Sequence, residues 1–223
     1  MRAEFPGWST EQMFDAKLRP VIDPVLHRIA RLCLTAGLSA NSLTIMGFGV
    51  GLVCGLLICF EAYLWALLAL FVSRILDGLD GAVARLTRPT DFGGFLDIVC
   101  DFLFYAFVPF CFAVSQPEQA VAAAFLMLSF AGTGTSFLAY AILDAKYQHT
   151  ATQRQSNQKE RAKNKSFAYL GGLTEGAETI AVLALFMVFP DWFVPLAIGF
   201  GLLCWVTTIY RVYISWVEFG KDG

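Results

Sequence analysis

Residues 74–105 read RILDGLDGAVARLTRPTDFGGFLDIVCDFLFY and hold four aspartates inside two apolar segments, besides Asp91 in the turn between them. The turn between the segments, LTRPTD, contains Pro89, which prevents a continuous helix. The two aspartates before the turn are three residues apart and the two after it are four apart, so each pair lies on one helix face. A helical hairpin with these faces turned inward would gather four carboxylates at matched depth. They are Asp77, Asp80, Asp97 and Asp101.

Four carboxylates cannot stay ionised together in a low-dielectric setting unless cations join them. Protonation is one solution, and hard divalent cations are the other, since oxygen ligands suit Mg²⁺, Mn²⁺ or Ca²⁺. Two ions fit four carboxylates better than one. The alternative is that the carboxylates have a structural role and form ion pairs with Arg74, Arg85 and Arg88. The small residues Gly81 and Ala84 favour a ligand instead, because they leave room for phosphates beside the carboxylates.

The composition is that of an integral membrane protein. Of the 223 residues 57% are apolar and only 15% are charged, with a mean hydropathy of +0.60; soluble domains carry roughly a quarter charged residues. The net charge of −2 argues against a nucleic-acid partner, which calls for a basic surface. Six scattered cysteines without a CxxC pair indicate neither a disulfide framework nor a zinc site.

Six segments are long and apolar enough to span a membrane. They are residues 40–60, 64–86, 92–115, 119–145, 172–190 and 192–216. The three short connections on one side contain no Lys or Arg, whereas basic residues collect before the first span and in the connections of the other side. The positive-inside rule then predicts that both termini are cytoplasmic.

The predicted fold class is therefore all-α, a polytopic bundle of six transmembrane helices. Residues 1–38 form a cytoplasmic N-terminus in which 10–33 are predicted to be an amphipathic interfacial helix. Residues 39–217 form the transmembrane domain, with a polar cytoplasmic loop over 146–168, and 218–223 form a cytoplasmic tail. In the first span, three glycines at four-residue intervals predict close helix packing. These are Gly47, Gly51 and Gly55.

The aspartates and small residues of the hairpin together resemble the motif of the CDP-alcohol phosphotransferase (phosphatidyltransferase) family, in a bacterial inner-membrane branch. Eight fixed positions within 25 residues match. They are Asp77, Asp80, Gly81, Ala84, Arg85, Gly93, Asp97 and Asp101.

The resemblance implies a role for each matching position. The three metal ligands would be Asp77, Asp80 and Asp97, holding two divalent ions, Mg²⁺ or Mn²⁺. Asp101 resembles the family's general base and would also contact the second ion. The nucleotide would be bound by the residues that correspond to the family's nucleotide contacts. These are Asn41, Thr44, Gly81, Ala84, Arg85 and Thr90.

The implied reaction is attack of an alcohol hydroxyl on the β-phosphorus of a CDP-linked alcohol, with release of CMP. The bacterial resemblance favours CDP-diacylglycerol as the donor and a small polar alcohol as the acceptor. The alternative is a CDP-linked small alcohol that donates to a lipid hydroxyl. Glycerol 3-phosphate, inositol phosphate, serine and uncharged polyols all stay open as acceptors. The resemblance also implies a homodimer, with an interface at spans three and four, in the bacterial inner membrane with a cytoplasmic active site.

Several charged residues keep two interpretations each. Glu175 and Glu178, at the start of span five, either select an acceptor or complement a helix N-terminus. The acceptor would be neutral or cationic, or one bound by other arginines such as Arg211. Arg74 either fixes Asp77 as a metal ligand or merely neutralises it, and Arg211 either snorkels to the interface or binds an acceptor phosphate.

Two other classes of protein would keep buried carboxylates. An ion or proton transporter would use them along its pathway, although the sequence shows no internal repeat and the aspartates lie toward one surface. A membrane scaffold would tolerate their loss. Release of CMP from CDP-diacylglycerol distinguishes the enzyme from both.

Overall fold

The computed structural model describes residues 26–151 and 176–220, with side chains omitted at 148–151. Within these ranges the regular structure is entirely helical, as predicted, and six long helices follow one another. Short 3₁₀ turns at Pro117–Gln119 and Pro190–Trp192 precede the fourth and sixth. The six are α1 (Ala40–Cys59), α2 (Tyr63–Leu86), α3 (Asp91–Ser115), α4 (Ala120–Ala151), α5 (Gly176–Val188) and α6 (Phe193–Phe219).

Four stretches of these helices are apolar and long enough to cross a membrane. They are Ala40–Cys59, Asp91–Ser115, Pro117–Tyr147 and Pro190–Phe219. Helix α2 has 24 residues, about 36 Å at 1.5 Å per residue, but carries the charges of the hairpin. The described part of α5, 13 residues, is shorter than a full span. The predicted count of six spans therefore stays a prediction.

Helix α4 continues to Ala151, so the first residues of the predicted polar loop, 146–168, are helical, and the loop itself stays a prediction. Of the predicted interfacial helix, residues 26–33 belong to a helical segment over 26–35. The rest of that prediction, most of the polar loop and the last three residues lie outside the described ranges.

Side-chain caps fix where two of the helices begin. The Ser39 hydroxyl accepts a hydrogen bond from the Ser42 amide at 3.2 Å at the start of α1. The Thr90 hydroxyl accepts one from the Gly93 amide at 3.0 Å at the start of α3. Each cap satisfies an amide that has no partner within its own helix. The starts of α1 and α3 are thus defined close to the predicted site.

The predicted glycine stripe is where α1 meets both α2 and α3. A Cβ on Gly47 would lie 3.2 Å from Leu76 Cβ, and one on Gly51 would lie 2.8 Å from a ring carbon of Phe104. The Ser73 hydroxyl also donates to the Gly47 carbonyl at 2.8 Å. These contacts confirm that the stripe lets helices approach closely. Helix α1 packs along both α2 and α3, whereas α2 and α3 approach each other at few backbone positions.

An aromatic stack closes the end of the bundle that lies away from the aspartates. The Phe112 ring of α3 stacks on Phe193 of α6 with centroids 4.4 Å apart, and on Tyr63 of α2 at 5.7 Å. Phe186 of α5 meets Phe112 edge-on at 6.0 Å. Four helices are therefore held together at this end, and the aspartates lie nearer the other.

Arg211 does not snorkel to an interface, which corrects one of its two interpretations. Its side chain lies between α6 and α4 and the residue is only 8% exposed. Its Nη1 donates to the Thr133 carbonyl at 3.0 Å, and its guanidinium lies 5.5 Å from the Phe137 ring centroid. The apolar stem and the charge are both buried inside the bundle, where the charge helps join two helices.

Candidate active site

Three of the four predicted aspartates come together between α2 and α3. One carboxylate oxygen each from Asp77, Asp97 and Asp101 lies within 4.8 Å of the others. Two oxygens on one Mg²⁺ or Ca²⁺ lie at most about 4–5 Å apart, because metal–oxygen distances are roughly 2.0–2.6 Å. The separation and the all-oxygen chemistry both fit a hard divalent cation.

The fourth aspartate, Asp80, is held from α1. The residue is 7% exposed, and its Oδ2 lies 2.5 Å from the Thr44 hydroxyl, which donates to it. Thr44 itself is 6% exposed, so this hydrogen bond is largely shielded from solvent. The sequence predicted a nucleotide contact for Thr44, and the structure shows that its immediate partner is a predicted metal ligand.

Arg74 is the cation that contacts the cluster. Its Nη1 lies 2.6 Å from Asp101 Oδ1 and 3.6 Å from Asp77 Oδ1. Spacing along the helix pointed to Asp77, but the shorter contact is to Asp101 on the neighbouring helix. Arg85 and Arg88 form no ion pair with any residue in the described part of the chain. Pairing with three arginines, the structural alternative, is therefore not what the described residues show.

Tyr105 is a residue of this cluster that sequence reasoning missed. Its hydroxyl donates to Asp101 Oδ2 at 3.2 Å. Tyr105 stands four residues after Asp101, so helical spacing already placed both on one face of α3. That spacing was the available signal.

The predicted nucleotide contacts Asn41 and Thr90 meet at Gly93. A Cβ on Gly93 would lie 3.0 Å from Thr90 Oγ1 and 3.1 Å from Asn41 Oδ1. The glycine therefore leaves space for two polar atoms that come from the starts of α1 and α3. Asn41 is one turn before Thr44 on α1, so the polar side chains of α1 continue from Gly93 toward Asp80.

The remaining motif positions lie at the end of α2. Gly81 lies beneath Arg85, since a Cβ there would be 3.2 Å from Arg85 Nη1. Ala84 is partly buried one turn further along, and Arg85 is exposed. The guanidinium is thus positioned near the small residue and open to solvent, which suits contact with a diphosphate.

The start of α5 lies beside this cluster. A Cβ on Gly176 would be 3.7 Å from the Tyr105 hydroxyl oxygen. Glu178, in the first turn, has one carboxylate oxygen (Oε2) that is shielded from solvent and has no hydrogen-bond partner among the described residues. Glu175 lies outside the described ranges. The proposed selection of an acceptor by these two residues stays a prediction.

Comparison with known proteins establishes the family. The sequence profile of the CDP-alcohol phosphatidyltransferase domain matches residues 38–210, which is most of the chain and includes the whole hairpin. The chain belongs to the CDP-alcohol phosphatidyltransferase family. The enzyme class predicted from the hairpin motif is therefore confirmed.

Individual relatives add detail about the family. Inner membrane protein YnjF of Escherichia coli (strain K12) is 46% identical over 206 residues, covering 92% of this chain and 96% of that protein. An archaetidylinositol phosphate synthase of Pyrococcus horikoshii is 37% identical over 100 residues, covering 44% of this chain and 53% of the synthase. The Mycobacterium tuberculosis phosphatidylinositol phosphate synthase PgsA1, solved with CDP-DAG bound, superposes with a TM-score of 0.63. That alignment covers 86% of this chain and 94% of PgsA1 at 21% identity, so it establishes a shared fold.

Proposed function

We propose that this phosphatidyltransferase moves the phosphatidyl group of CDP-diacylglycerol to the hydroxyl of a small polar alcohol and releases CMP. The observation that carries the proposal is the meeting of Asp77, Asp97 and Asp101 from two helices within 4.8 Å. Carboxylates so close together and only partly exposed within an apolar bundle are costly unless they bind cations. Family membership supplies the donor class, and the site supplies groups suited to a diphosphate.

The cation site is proposed to consist of the three clustered carboxylates together with Asp80. Two divalent ions, Mg²⁺ or Mn²⁺, would neutralise charge that develops on the phosphoryl oxygens during transfer. Thr44 donates to one oxygen of Asp80, which fixes the direction of the other. Asn41 and Thr90, from the starts of α1 and α3, and Arg85, from the end of α2, would bind the nucleotide end of the donor.

Asp101 is proposed as the general base. It would take the proton of the acceptor hydroxyl while the hydroxyl oxygen attacks the β-phosphorus and the bond to the CMP oxygen breaks. The new phosphodiester keeps the lipid in the membrane, and CMP leaves with the electron pair of the broken bond. Arg74 pairs with this carboxylate, and its Nη1 lies 2.6 Å from Asp101 Oδ1.

The orientation of the substrates and the acceptor are the finer parts of the proposal. The archaetidylinositol phosphate synthases and PgsA1 carry names that point to phosphorylated inositol and, for PgsA1, to CDP-DAG. These names support a CDP-lipid donor and a polyol acceptor, such as inositol phosphate or glycerol 3-phosphate. A CDP-linked small alcohol that donates to a lipid hydroxyl remains the alternative.

The test is a reaction of the purified protein with CDP-diacylglycerol, Mg²⁺ and a panel of alcohols, with CMP and lipid products identified by mass spectrometry. We expect CMP release that depends on one acceptor and falls by about 1000-fold in Asp101→Asn. Asp191→Asn, in the turn beside the aromatic stack, is the matched control and should keep full activity. Product formation from a CDP-linked small alcohol, with none from CDP-diacylglycerol, would reverse the assigned roles of donor and acceptor. Absence of CMP with either donor would refute the proposed reaction.

The hydrogen bond between Thr44 and Asp80 gives a second prediction. Thr44→Val keeps the shape of the side chain but removes the donor, so Asp80 loses its fixed orientation. We expect kcat/KM to fall by about 10-fold, in line with losses at residues that orient metal ligands. Thr44→Ser should recover most of the activity in the same assay. Equal losses in the valine and serine variants would show that the hydroxyl does not matter.

The relatives and the apolar helices support a proposal about the cellular setting. One relative is an inner membrane protein, and four stretches here are apolar enough to span a bilayer. We propose a multi-pass inner-membrane enzyme with both termini and the active site on the cytoplasmic side. The homodimer through α3 and α4 stays a prediction from the family resemblance.

A further inference from the structure

Both oxygens of Asp101 carry a hydrogen bond from a side chain outside the family motif. Arg74 Nη1 donates to Oδ1 at 2.6 Å and the Tyr105 hydroxyl donates to Oδ2 at 3.2 Å. A carboxylate held at one oxygen can still turn about its Cβ–Cγ bond, but one held at both cannot. The two donors come from different helices, α2 and α3. The plane of the carboxylate is thus tied to the arrangement of the hairpin.

The donor on α2, the Arg74 guanidinium, is itself held by neighbouring residues. Arg74 Nη2 donates to the Ser73 hydroxyl at 3.2 Å, and Ser73 in turn donates to the Gly47 carbonyl at 2.8 Å. The Arg74 guanidinium also lies over the Phe104 ring, 4.8 Å from its centroid. Direct contacts to α2 and α3, and an indirect one to α1 through Ser73, together restrict the position of the guanidinium.

The donor on α3, the Tyr105 hydroxyl, is held in place by neighbouring aromatic rings. The Tyr105 ring meets Phe130 of α4 at a centroid distance of 6.3 Å and Phe102 edge-on at 6.3 Å. Phe102 is in turn confined, because a Cβ on Gly134 of α4 would lie 2.6 Å from its ring. The Tyr105 hydroxyl is therefore held at Asp101 by packing between α3 and α4.

We propose that Arg74 and Tyr105 are positioning residues that clamp Asp101 in its working orientation. This inference rests on the proposed function, in which Asp101 takes the proton of the acceptor and contacts a cation. Each clamped oxygen keeps a second lone pair for those tasks. An arginine that only neutralised charge would need neither the tyrosine nor the Ser73 contact, so the paired donors favour positioning.

The main test is Tyr105→Phe, which removes one hydroxyl and keeps the ring in its packed site. We expect kcat to fall by about 10-fold and KM for the CDP-lipid to change less than about twofold, as is typical when a group that orients a metal ligand is lost. The Mg²⁺ concentration that half-maximally raises the thermal unfolding temperature, measured without substrates, should rise by about 10-fold.

Tyr140→Phe is the matched control. Its hydroxyl also donates to a carboxylate, Glu218 Oε2 at 3.0 Å, but between α4 and α6. A general cost of losing such a bond would lower the unfolding temperature in both variants. Only Tyr105→Phe should change kcat and the Mg²⁺ midpoint.

The arginine is tested by comparison of Arg74→Lys with Arg74→Gln. Lysine keeps a charged donor for Asp101 but cannot span Asp101 and Ser73 with a planar fork. We expect a partial loss of kcat in the lysine variant and a larger one in the glutamine variant. If the two residues hold the same carboxylate, Arg74→Lys combined with Tyr105→Phe should depart from the product of the single effects.

The outcomes separate the clamp from the function on which it rests. Wild-type kcat and an unchanged Mg²⁺ midpoint in folded Tyr105→Phe would overturn the clamp while CMP release by the wild type still supports the enzyme. If the wild type releases no CMP, the proposed function fails. The clamp is then decided by the Mg²⁺ midpoint alone, where a shift in Tyr105→Phe supports it and no shift overturns it.

Discussion

Asp97→Asn is expected to lower CMP release by about 1000-fold or more. The amide side chain would keep the shape of the carboxylate but carry no negative charge, in a cluster where the carboxylate oxygens of Asp77, Asp97 and Asp101 lie within 4.8 Å. Cation binding at such a site supplies several kcal/mol of stabilisation to the transferring phosphoryl group, and each 1.4 kcal/mol corresponds to about tenfold in rate. The measurement is initial-rate release of CMP from CDP-diacylglycerol at saturating acceptor.

The same substitution should act in the opposite direction on stability in the absence of metal. Removing one of several neighbouring anions relieves repulsion in a low-dielectric site, so Asp97→Asn should unfold at the same temperature or a higher one in EDTA. Added Mg²⁺ should raise the unfolding temperature of the wild type and have little effect on the variant. Asp191→Asn should behave as the wild type in both conditions. A variant that loses activity because it is unfolded in EDTA would contradict this account.

The carboxylate cluster could be predicted because helical spacing alone determines which residues share a face. That spacing places each pair on one face of its helix, and in the structure three of the four aspartates meet. The packing role of Gly47 and Gly51 followed from the same reasoning. By contrast, the placement of Asp80 with Thr44 depends on how α1 crosses α2, which spacing within one helix does not specify.

Arg74 and Tyr105 show that spacing along a helix is not sufficient to predict the partner of a side chain. Arg74 is three residues before Asp77 and was paired with it on that ground, yet its shorter contact is to Asp101 on α3 at 2.6 Å. The choice between two nearby carboxylates depends on side-chain rotamers and on Ser73 and Phe104, which position the guanidinium. Tyr105 had the right spacing for Asp101, but one aromatic residue among many apolar ones gives no sign that its hydroxyl meets a carboxylate.

Arg211 shows a second limit of prediction from the sequence, which concerns the burial of a charged residue. A cation near the end of an apolar helix is most often an interfacial anchor, and nothing local in the sequence argues otherwise. The structure buries it because the Thr133 carbonyl and the Phe137 ring on α4 provide polar and aromatic partners. In the same stretch of α4, serine and threonine hydroxyls donate to carbonyls of the preceding turn. No single residue of α4 therefore indicates in the sequence that this interface is polar.

Gly55→Ala is expected to cause the largest loss of stability among single-methyl additions on α1. The new Cβ would overlap the Phe107 ring at Cε1 and lie 2.9 Å from Cys111 Sγ, well inside van der Waals contact. Phe107 cannot turn away freely, because its ring also stacks on Phe110 at a centroid distance of 6.3 Å. Overpacking of this kind costs about 1–3 kcal/mol, and more where helices must separate. We expect a clear fall in the unfolding temperature in detergent, and a loss of activity on heating before the wild type loses it.

Gly49→Ala is the matched control on the same helix. No heavy atom lies within 4 Å of a Cβ built there, and Gly49 is exposed on the outer face of α1. Alanine favours the helix over glycine by up to about 1 kcal/mol, so this variant should unfold at the same temperature or a higher one. The opposite signs test the packing itself, because the chemical change is identical and only the neighbours differ. Equal effects at the two positions would mean that α1 does not approach α3 as closely as the Gly55 contacts require.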